Sequence, residues 1–255
     1  MKIVEVKSVR IGEGRPKICV PIIGATRDEL VLQGKIVLEA PVDIVEWRVD
    51  YFPDIFQKAK ALDALKALRE IIPDIPLLFT FRSAKEGGAR DISLEEYSKL
   101  NKLILSTGCV DLIDVEAFTG EEVVKDIIRE AQDNGVKVIA SNHDFYKTPP
   151  KEEIIKRLRY MQELGADICK IALMPENKRD ALTVLEATLE MSESYGDTPI
   201  ITISMGGEGV ISRLSGEIFG SAVTFGSLEK ASAPGQIKVK ELSQLLDMLH
   251  NSLKQ

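Results

Sequence analysis

Two ionisable residues lie in or directly after short apolar segments of the chain. His143 occurs in the run Val-Ile-Ala-Ser-Asn-His-Asp at 138–144, and Lys170 occurs in the run Asp-Ile-Cys-Lys-Ile-Ala-Leu at 167–173. Burying an ionisable group is costly, so a buried one is often kept for a chemical task. A lysine that is desolvated or near other cations loses its proton more easily and attacks carbonyl carbons, whereas histidine transfers protons near neutral pH. The pair therefore predicts imine chemistry with a general acid/base.

The elements that must position this pair alternate along the chain. Eight apolar or β-branched runs are predicted strands, at 17–23, 44–49, 77–81, 110–115, 136–141, 168–173, 199–204 and 222–225. Eight stretches with helical periodicity are predicted helices, at 27–39, 56–70, 93–106, 120–133, 151–163, 178–194, 209–218 and 238–252. Strict alternation without a long linker favours one α/β domain over residues 1–255, and eight repeats favour a closed (β/α)₈ TIM barrel. Segment 3–11 is predicted to form an N-terminal β-hairpin.

Composition argues against several classes of protein. Lys and Arg number 33 against 40 Asp and Glu, and no basic block occurs, so a nucleic-acid partner is not expected. No apolar run approaches the length of a membrane span, and the charged N-terminus has no signal-peptide core. The three cysteines are Cys19, Cys109 and Cys169, and their odd number and wide spacing suit reduced thiols in the cytoplasm.

Alternation within the predicted strands indicates a polar pocket at one end of the barrel. Alternate residues of a barrel strand face inward, and chemistry occurs at the C-terminal ends of the strands. Polar residues that share one face near a strand end are Glu46 with Arg48, Thr80 with Arg82, Asp114 with Glu116, Ser141 with His143, and Thr202 with Ser204. Charges confined to strand ends in an otherwise apolar lattice indicate a pocket rather than a core.

Each of these features also has a purely structural interpretation. A single histidine after a strand is commonly a hydrogen-bonded loop residue, and arginine–carboxylate pairs such as Glu46 with Arg48 could simply fill the upper barrel. The strand-end position favours a catalytic His143, and a closed barrel has no edge on which Lys170 could be exposed. Asp114 and Glu116 with His143 could suggest a metal site, but only one histidine is available there and tight ligand spacing is missing, so we expect no metal.

Loops at the same end of the barrel add further polar side chains. Glycines next to a glutamate could let its carboxylate reach the pocket and orient His143, and an arginine after a glycine-rich turn suits an anion. A long loop before the last helix resembles a lid. The side chains offered are Glu86 in 83–88, Arg213 after 206–209, and Ser232 and Gln236 in 227–236.

Six segments form an ordered set that covers essentially the whole chain. They are Glu-Trp-Arg-Val-Asp (46–50), Phe-Thr-Phe-Arg-Ser with Glu-Gly-Gly (79–88), Ser-Asn-His-Asp-Phe (141–145), Lys-Ile-Ala (170–172), Gly-Val-Ile-Ser-Arg (209–213) and Ser-Ala-Pro-Gly-Gln (232–236). The set resembles the type I 3-dehydroquinate dehydratases of the shikimate pathway. This resemblance implies a (β/α)₈ homodimer without metal or cofactor that converts 3-dehydroquinate into 3-dehydroshikimate and water.

The resemblance also implies a role for each site residue. Lys170 would form an iminium at the C3 ketone, and His143, paired with Glu86, would take the C2 proton and return a proton to the C1 hydroxyl. The implied substrate-binding residues are Glu46, Trp47, Arg48, Arg82, Arg213, Ser232 and Gln236, of which the last three bind the carboxylate. Pro21 stands where some members carry a serine, so it is left out of this set.

Two other functions stay open. A class I aldolase also uses a barrel lysine with an acid/base partner, but it commonly holds a phosphosugar in the loops after the seventh and eighth strands. Those loops here offer one arginine, a serine and a glutamine, which suit a carboxylate better. The other alternative is a barrel that binds a cyclic acid without turnover, because a fold does not determine a function.

Overall fold

Parallel strands and helices alternate through a computed structural model that describes residues 2–228 and 232–254. The strands are β1 (Val4–Val6), β2 (Val9–Ile11), β3 (Lys17–Ile22), β4 (Ile44–Arg48), β5 (Leu77–Thr80), β6 (Leu112–Glu116), β7 (Lys137–Asp144), β8 (Ile168–Leu173), β9 (Ile200–Ser204), β10 (Val223–Ser227) and β11 (Ile237–Lys238). The helices are α1 (Arg27–Val37), α2 (Lys58–Ile71), α3 (Leu94–Leu105), α4 (Glu121–Asp133), α5 (Lys151–Glu163), α6 (Lys178–Ser194), α7 (Ile211–Leu214), α8 (Gly216–Phe219) and α9 (Val239–Leu253). Short 3₁₀ turns follow β4 and β5, at Val49–Tyr51 and Ala84–Glu86.

The sheet curls into the predicted (β/α)₈ barrel. Its strands are parallel in the order β10, β3, β4, β5, β6, β7, β8, β9, and β11 adds two residues beside β10. A single bridge between Ile200 and Ser221 joins the two ends of this sheet, where the Ala222 N–H donates to the Ile200 carbonyl at 2.8 Å. The seam between β9 and β10 is thus much shorter than the other strand pairings.

Strand β7 is longer than the sequence predicts. The prediction ends it at residue 141, where the polar run Ser-Asn-His-Asp begins. In the structure Asn142, His143 and Asp144 continue the ladder with β8, where His143 lies opposite Ala172. Pairing with a neighbouring strand overrides local propensity here, and it gives the histidine a rigid strand position.

The end of the barrel away from the polar residues is closed by the predicted hairpin. Strands β1 and β2 pair antiparallel, and Val4, Val6 and Ile11 are buried against the inward side chains at the start of the barrel strands, such as Cys19 and Ile44. A second, larger apolar layer lies between the strands and the helices. No helix within residues 2–228 and 232–254 is long and apolar enough to cross a membrane.

Candidate active site

A cavity of about 510 Å³ opens at the C-terminal end of the barrel strands. Inward side chains from β4, β7, β8, β9 and β10 line it, together with residues of the loops that follow the strands. The sequence-predicted site residues that line it are Glu46, Arg48, Arg82, Glu86, His143, Lys170, Arg213, Ser232 and Gln236. Residues 229–231 of the predicted 227–236 lid lie outside the described residues.

Trp47 is the predicted substrate-binding residue that the structure places elsewhere. It alternates with Glu46 and Arg48 on β4, so its side chain points to the helix layer, where it is fully buried. Its ring lies edge-on to Phe52 at 5.9 Å and to Phe79 at 6.0 Å between centroids. Trp47 therefore packs β4 against its surroundings and does not line the cavity.

The prediction that Thr202 and Ser204 of β9, the seventh barrel strand, face inward is also wrong. The Thr202 hydroxyl lies 2.6 Å from the Thr188 hydroxyl of α6, so Thr202 faces the helices. Ile201 and Ile203 of β9 belong instead to the cluster inside the barrel, and Ile203 lines the cavity. Period-2 alternation does not reveal the phase of a strand that carries apolar residues on both faces.

Lys170 is buried on β8 with its ammonium among two carboxylates and an aromatic ring. Its Nζ lies 3.5 Å from Asp114 Oδ2, 3.9 Å from Glu46 Oε1 and 4.3 Å from the centroid of the Phe225 ring. The carboxylates and the ring face are suited to a positive charge at this nitrogen. The same surroundings can hold the cation that a lysine forms when it condenses with a ketone.

His143 and Glu86 form a hydrogen-bonded pair in the lining of the cavity. Glu86 Oε2 lies 2.9 Å from His143 Nδ1 and accepts the backbone N–H of His143 at 3.0 Å, while the Asn142 amide donates to Oε1 at 3.1 Å. The turn that presents Glu86 requires glycine at position 87, which has φ +81° and where a Cβ would lie 2.2 Å from the Phe145 ring. Glu86 is thereby fixed to orient the imidazole.

Burial sets the proton affinities of this pair. Burial, reinforced by the cations Arg82, Lys170 and Arg48, holds the pKa of His143 well below the usual range. Burial also raises the pKa of Glu86 to about 8, although Arg82 opposes it. Two groups in such contact titrate together. When Glu86 is ionised and His143 is neutral, the Glu86 carboxylate accepts a hydrogen bond from Nδ1–H, and Nε2 then carries a lone pair that can act as a base.

We expect Glu86→Gln to move the acid limb of kcat/KM to lower pH. In the native pair the base form appears as pH rises through the pKa of Glu86, about 8, whereas in the variant only the imidazole titrates, with its lowered pKa. The maximal rate should fall by roughly 10- to 100-fold because the imidazolium loses its counter-charge. Full pH–rate profiles of both proteins measure the shift. An acid limb that stays in place would show that Glu86 does not control the base.

Arg82 ties the pair to the carboxylates beneath the cavity. Its guanidinium lies 2.7 Å from Asp114 Oδ1 and 3.1 Å from Glu116 Oε1, and it donates to Ser141 Oγ at 2.9 Å. Burial opposes its charge, but the carboxylates outweigh burial and raise the pKa of Arg82 well above the usual value. Glu86 is a further, longer contact at 3.4 Å. Arg82 therefore stays charged and is held rigidly at the cavity wall.

Arg48 is held by Asp50, a residue that was not among the site residues predicted from the sequence. Asp50, fully buried, accepts two parallel N–H bonds from Arg48, each of 2.8 Å, and also accepts the backbone N–H of Ala89 at 3.0 Å. Such bidentate pairs fix the guanidinium plane. The only signal in the sequence is the spacing of the two residues in the run 46–50.

Arg213 differs from the other arginines of the cavity because no carboxylate within the described part of the chain pairs with it. Its side chain is 1% exposed, it donates to the Pro234 carbonyl at 2.8 Å, and burial lowers its pKa to about 10. Ser232 and Gln236 lie in the same loop as Pro234 and are hydrogen-bonded to each other. An uncompensated buried guanidinium indicates an anionic ligand.

The fold and this end of the barrel define a (β/α)₈ enzyme that performs acid/base chemistry on a small anionic molecule. The family model of type I 3-dehydroquinase matches residues 18–253. The chain belongs to this family, whose curated members are named as a hydro-lyase, 3-dehydroquinate dehydratase.

Individual relatives match the sequence over nearly its whole length. The sequence is 57% identical over 250 residues to 3-dehydroquinate dehydratase of Clostridioides difficile strain 630. This alignment covers 98% of each chain. It is 54% identical over 252 residues to the protein of that name from Salmonella agona, covering 99% of this chain and 100% of that one. Among solved structures, it is similar to type I 3-dehydroquinate dehydratase from Clostridium difficile with covalently modified comenic acid, at 56% identity and a TM-score of 0.96, covering 98% and 99% of the two chains. The 3-dehydroquinate dehydratase from Geobacillus kaustophilus is 37% identical with a TM-score of 0.95, covering 98% and 97%.

Proposed function

We propose that this protein converts 3-dehydroquinate into 3-dehydroshikimate and water through an imine on Lys170. The observation that carries the proposal is the shared cavity, which brings together Lys170, the His143–Glu86 pair and Arg213, with which no carboxylate of the described residues pairs. Membership of the family and the names of the relatives support the substrate. The reaction is a step of the shikimate pathway, which leads to the aromatic amino acids.

The first stage forms the imine. The Lys170 amine attacks the C3 carbonyl carbon of the substrate, and the carbinolamine then loses its oxygen as water. His143 supplies and removes protons in this stage. The iminium that remains carries a positive charge at Nζ, which lies near the carboxylates of Asp114 and Glu46. Because the iminium withdraws electrons, the neighbouring C2 hydrogen becomes acidic.

The second stage eliminates water. His143 Nε2 takes the C2 proton, and the electron pair of that C–H bond moves into the enamine. The electrons then return to expel the C1 hydroxyl, which receives a proton from the imidazolium and leaves as water. One group on one face performs both transfers, so the elimination is syn. Hydrolysis of the product imine restores the Lys170 amine.

The cavity also provides a binding site that orients the substrate. We assign the carboxylate to Arg213, with Ser232 and Gln236 as neutral partners, because the guanidinium there lacks a counter-ion among the described residues. We assign the ring hydroxyls to Glu46, Arg48 and Arg82, which also line the cavity. The two arginines of that group keep their own carboxylate partners and are therefore fixed in place before substrate binds.

Reduction of the imine tests the proposal. Intact-protein mass spectrometry after addition of 3-dehydroquinate and borohydride should show one stable adduct, and peptide mapping should place it on Lys170. Dehydration is followed in parallel by the absorbance of the conjugated product. Dehydration without an adduct would mean that the elimination proceeds through an enolate. If neither dehydration nor an adduct were observed, the result would favour the aldolase or the non-catalytic barrel.

We also propose a homodimer that works in the cytoplasm, with residues 1–255 as one catalytic unit. Support for the dimer comes from the family resemblance and from exposed apolar side chains on the outer helices α6, α8 and α9, namely Leu182, Ile218 and Met248. Support for the location comes from the three cysteines, which are all unpaired thiols. Sedimentation equilibrium should give twice the 28.2 kDa of one chain.

A further inference from the structure

Asp114 is a fixed anion directly beside the nitrogen of Lys170. Its carboxylate is fully buried, and its Oδ2 lies 3.5 Å from Lys170 Nζ. The other oxygen, Oδ1, accepts the Ser141 hydroxyl at 2.6 Å and lies 2.7 Å from the Arg82 guanidinium. Burial favours the neutral acid, but the charges of Arg82 and Lys170 outweigh it and lower the pKa of Asp114. This carboxylate is therefore ionised and cannot swing away.

The second carboxylate near Lys170 is placed differently. Glu46 Oε1 lies farther from Nζ, at 3.9 Å, and its one side-chain hydrogen bond in the described residues comes from the Thr80 hydroxyl at 2.9 Å. Glu46 lines the cavity, whereas Asp114 lies beneath it and does not. Glu46 can therefore turn to a substrate hydroxyl, while Asp114 is held by Ser141 and Arg82 with its Oδ2 directed at Lys170.

Resting on the function proposed above, we propose that Asp114 is a positioning residue that keeps the imine nitrogen of Lys170 protonated while His143 removes the C2 hydrogen. Only the protonated iminium is an effective electron sink, because a neutral imine does not accept the electron pair of the C–H bond as readily. A fixed negative charge 3.5 Å from the nitrogen favours the protonated form. Asp114 neither gains nor loses a proton in any step.

The other charges around the nitrogen do not duplicate this effect. The cations Arg82 and His143, when protonated, oppose a positive iminium, and the buried Cys19 thiol is neutral because burial raises its pKa well above the usual value. Glu46 is drawn toward the substrate hydroxyls. The titratable and charged groups that face Nζ from the packed strands are Cys19 on β3, Glu46 on β4, Arg82 after β5, Asp114 on β6 and His143 on β7.

Asp114→Asn tests the inference, since asparagine keeps the shape and removes the charge. We expect kcat to fall by roughly 100-fold, comparable to the loss of one electrostatic contact in a transition state. The alkaline limb of the kcat profile should move at least one pH unit lower, because the iminium loses its proton more readily. The fraction of enzyme trapped by borohydride at saturating 3-dehydroquinate should not fall, because elimination slows while imine formation continues.

Two further variants separate this role from a structural one. Ser141→Ala removes the hydroxyl that holds Oδ1, so it should move the alkaline limb in the same direction by a smaller amount, and it decides the matter if Asp114→Asn does not fold. Glu46→Gln, the matched carboxylate, should raise KM and leave the alkaline limb in place. An unchanged limb in the Asp114 and Ser141 variants, or a trapped fraction that falls in proportion to kcat, would overturn the inference. Absence of a Lys170 adduct in the unmodified protein would instead overturn the proposed function.

Discussion

Lys170→Ala should lower kcat for dehydration by on the order of 10⁴-fold or more, the scale seen when an enzyme loses its covalent nucleophile. No other lysine lines the described part of the cavity, so no other side chain that lines it there offers an amine for the imine. Without the imine, the C2 hydrogen is acidified only by the ketone itself. Steady-state kinetics and borohydride trapping on the same preparation measure both losses.

The variant also leaves Asp114 and Glu46 without the ammonium that lies near them, which destabilises the folded protein. Lys170→Met is a useful companion because it retains the length of the side chain, and circular dichroism shows whether each variant is folded. Lys137→Ala is a matched control, since Lys137 begins the neighbouring strand β7 and pairs with Asp167 at 3.1 Å, away from the cavity. A folded Lys170 variant that retained more than a small fraction of native turnover would contradict the imine mechanism.

His143→Ala should permit imine formation and block a later step. Loss of a general acid/base costs about 10²- to 10⁴-fold in rate, and the effect here should lie near the upper end because one histidine serves as base and acid in the same elimination. The nucleophile and its carboxylate neighbours are untouched. Mass spectrometry should therefore detect an adduct on Lys170 that accumulates slowly and still contains the C1 hydroxyl.

The mass of that adduct distinguishes the steps. An adduct that has lost water would show that elimination had occurred without His143, and the base would then have to be assigned to another group. The chain contains a second histidine for comparison, His250 on α9, whose ring bonds Glu217 at 2.6 Å. His250→Ala should leave the rate of dehydration and the adduct unchanged.

Charge pairing within the cavity explains why these residues act in concert. Arg48 and Arg82 are each bound to carboxylates of the protein, so they contribute shape and hydrogen bonds without a free charge. Arg213 is the exception, and its lowered pKa reports the cost of a guanidinium that is buried with no counter-ion among residues 2–228 and 232–254. A bound carboxylate removes this cost, which favours an acid over a neutral ring compound of the same size.

Much of this architecture follows from the sequence alone. Eight alternating strand and helix patterns favour a parallel barrel, because a parallel sheet covered by helices buries apolar runs on both of its faces. Period-2 alternation then assigns Glu46, Arg82, His143 and Lys170 to one inward face, as the structure confirms. The same rule places Trp47 on the outer face, and there the resemblance, which includes Trp47 among the binding residues, was misleading about its position.

The tertiary structure decided what depends on neighbours across strands. The phase of β9 and the extension of β7 through His143 come from contacts that local pattern does not encode. The proton affinities of His143 and Glu86 are likewise set by burial and by the charges on adjacent strands. Residue type and spacing determine which groups face the pocket, whereas only three-dimensional packing determines the distances between them, and electrostatic interactions depend on those distances.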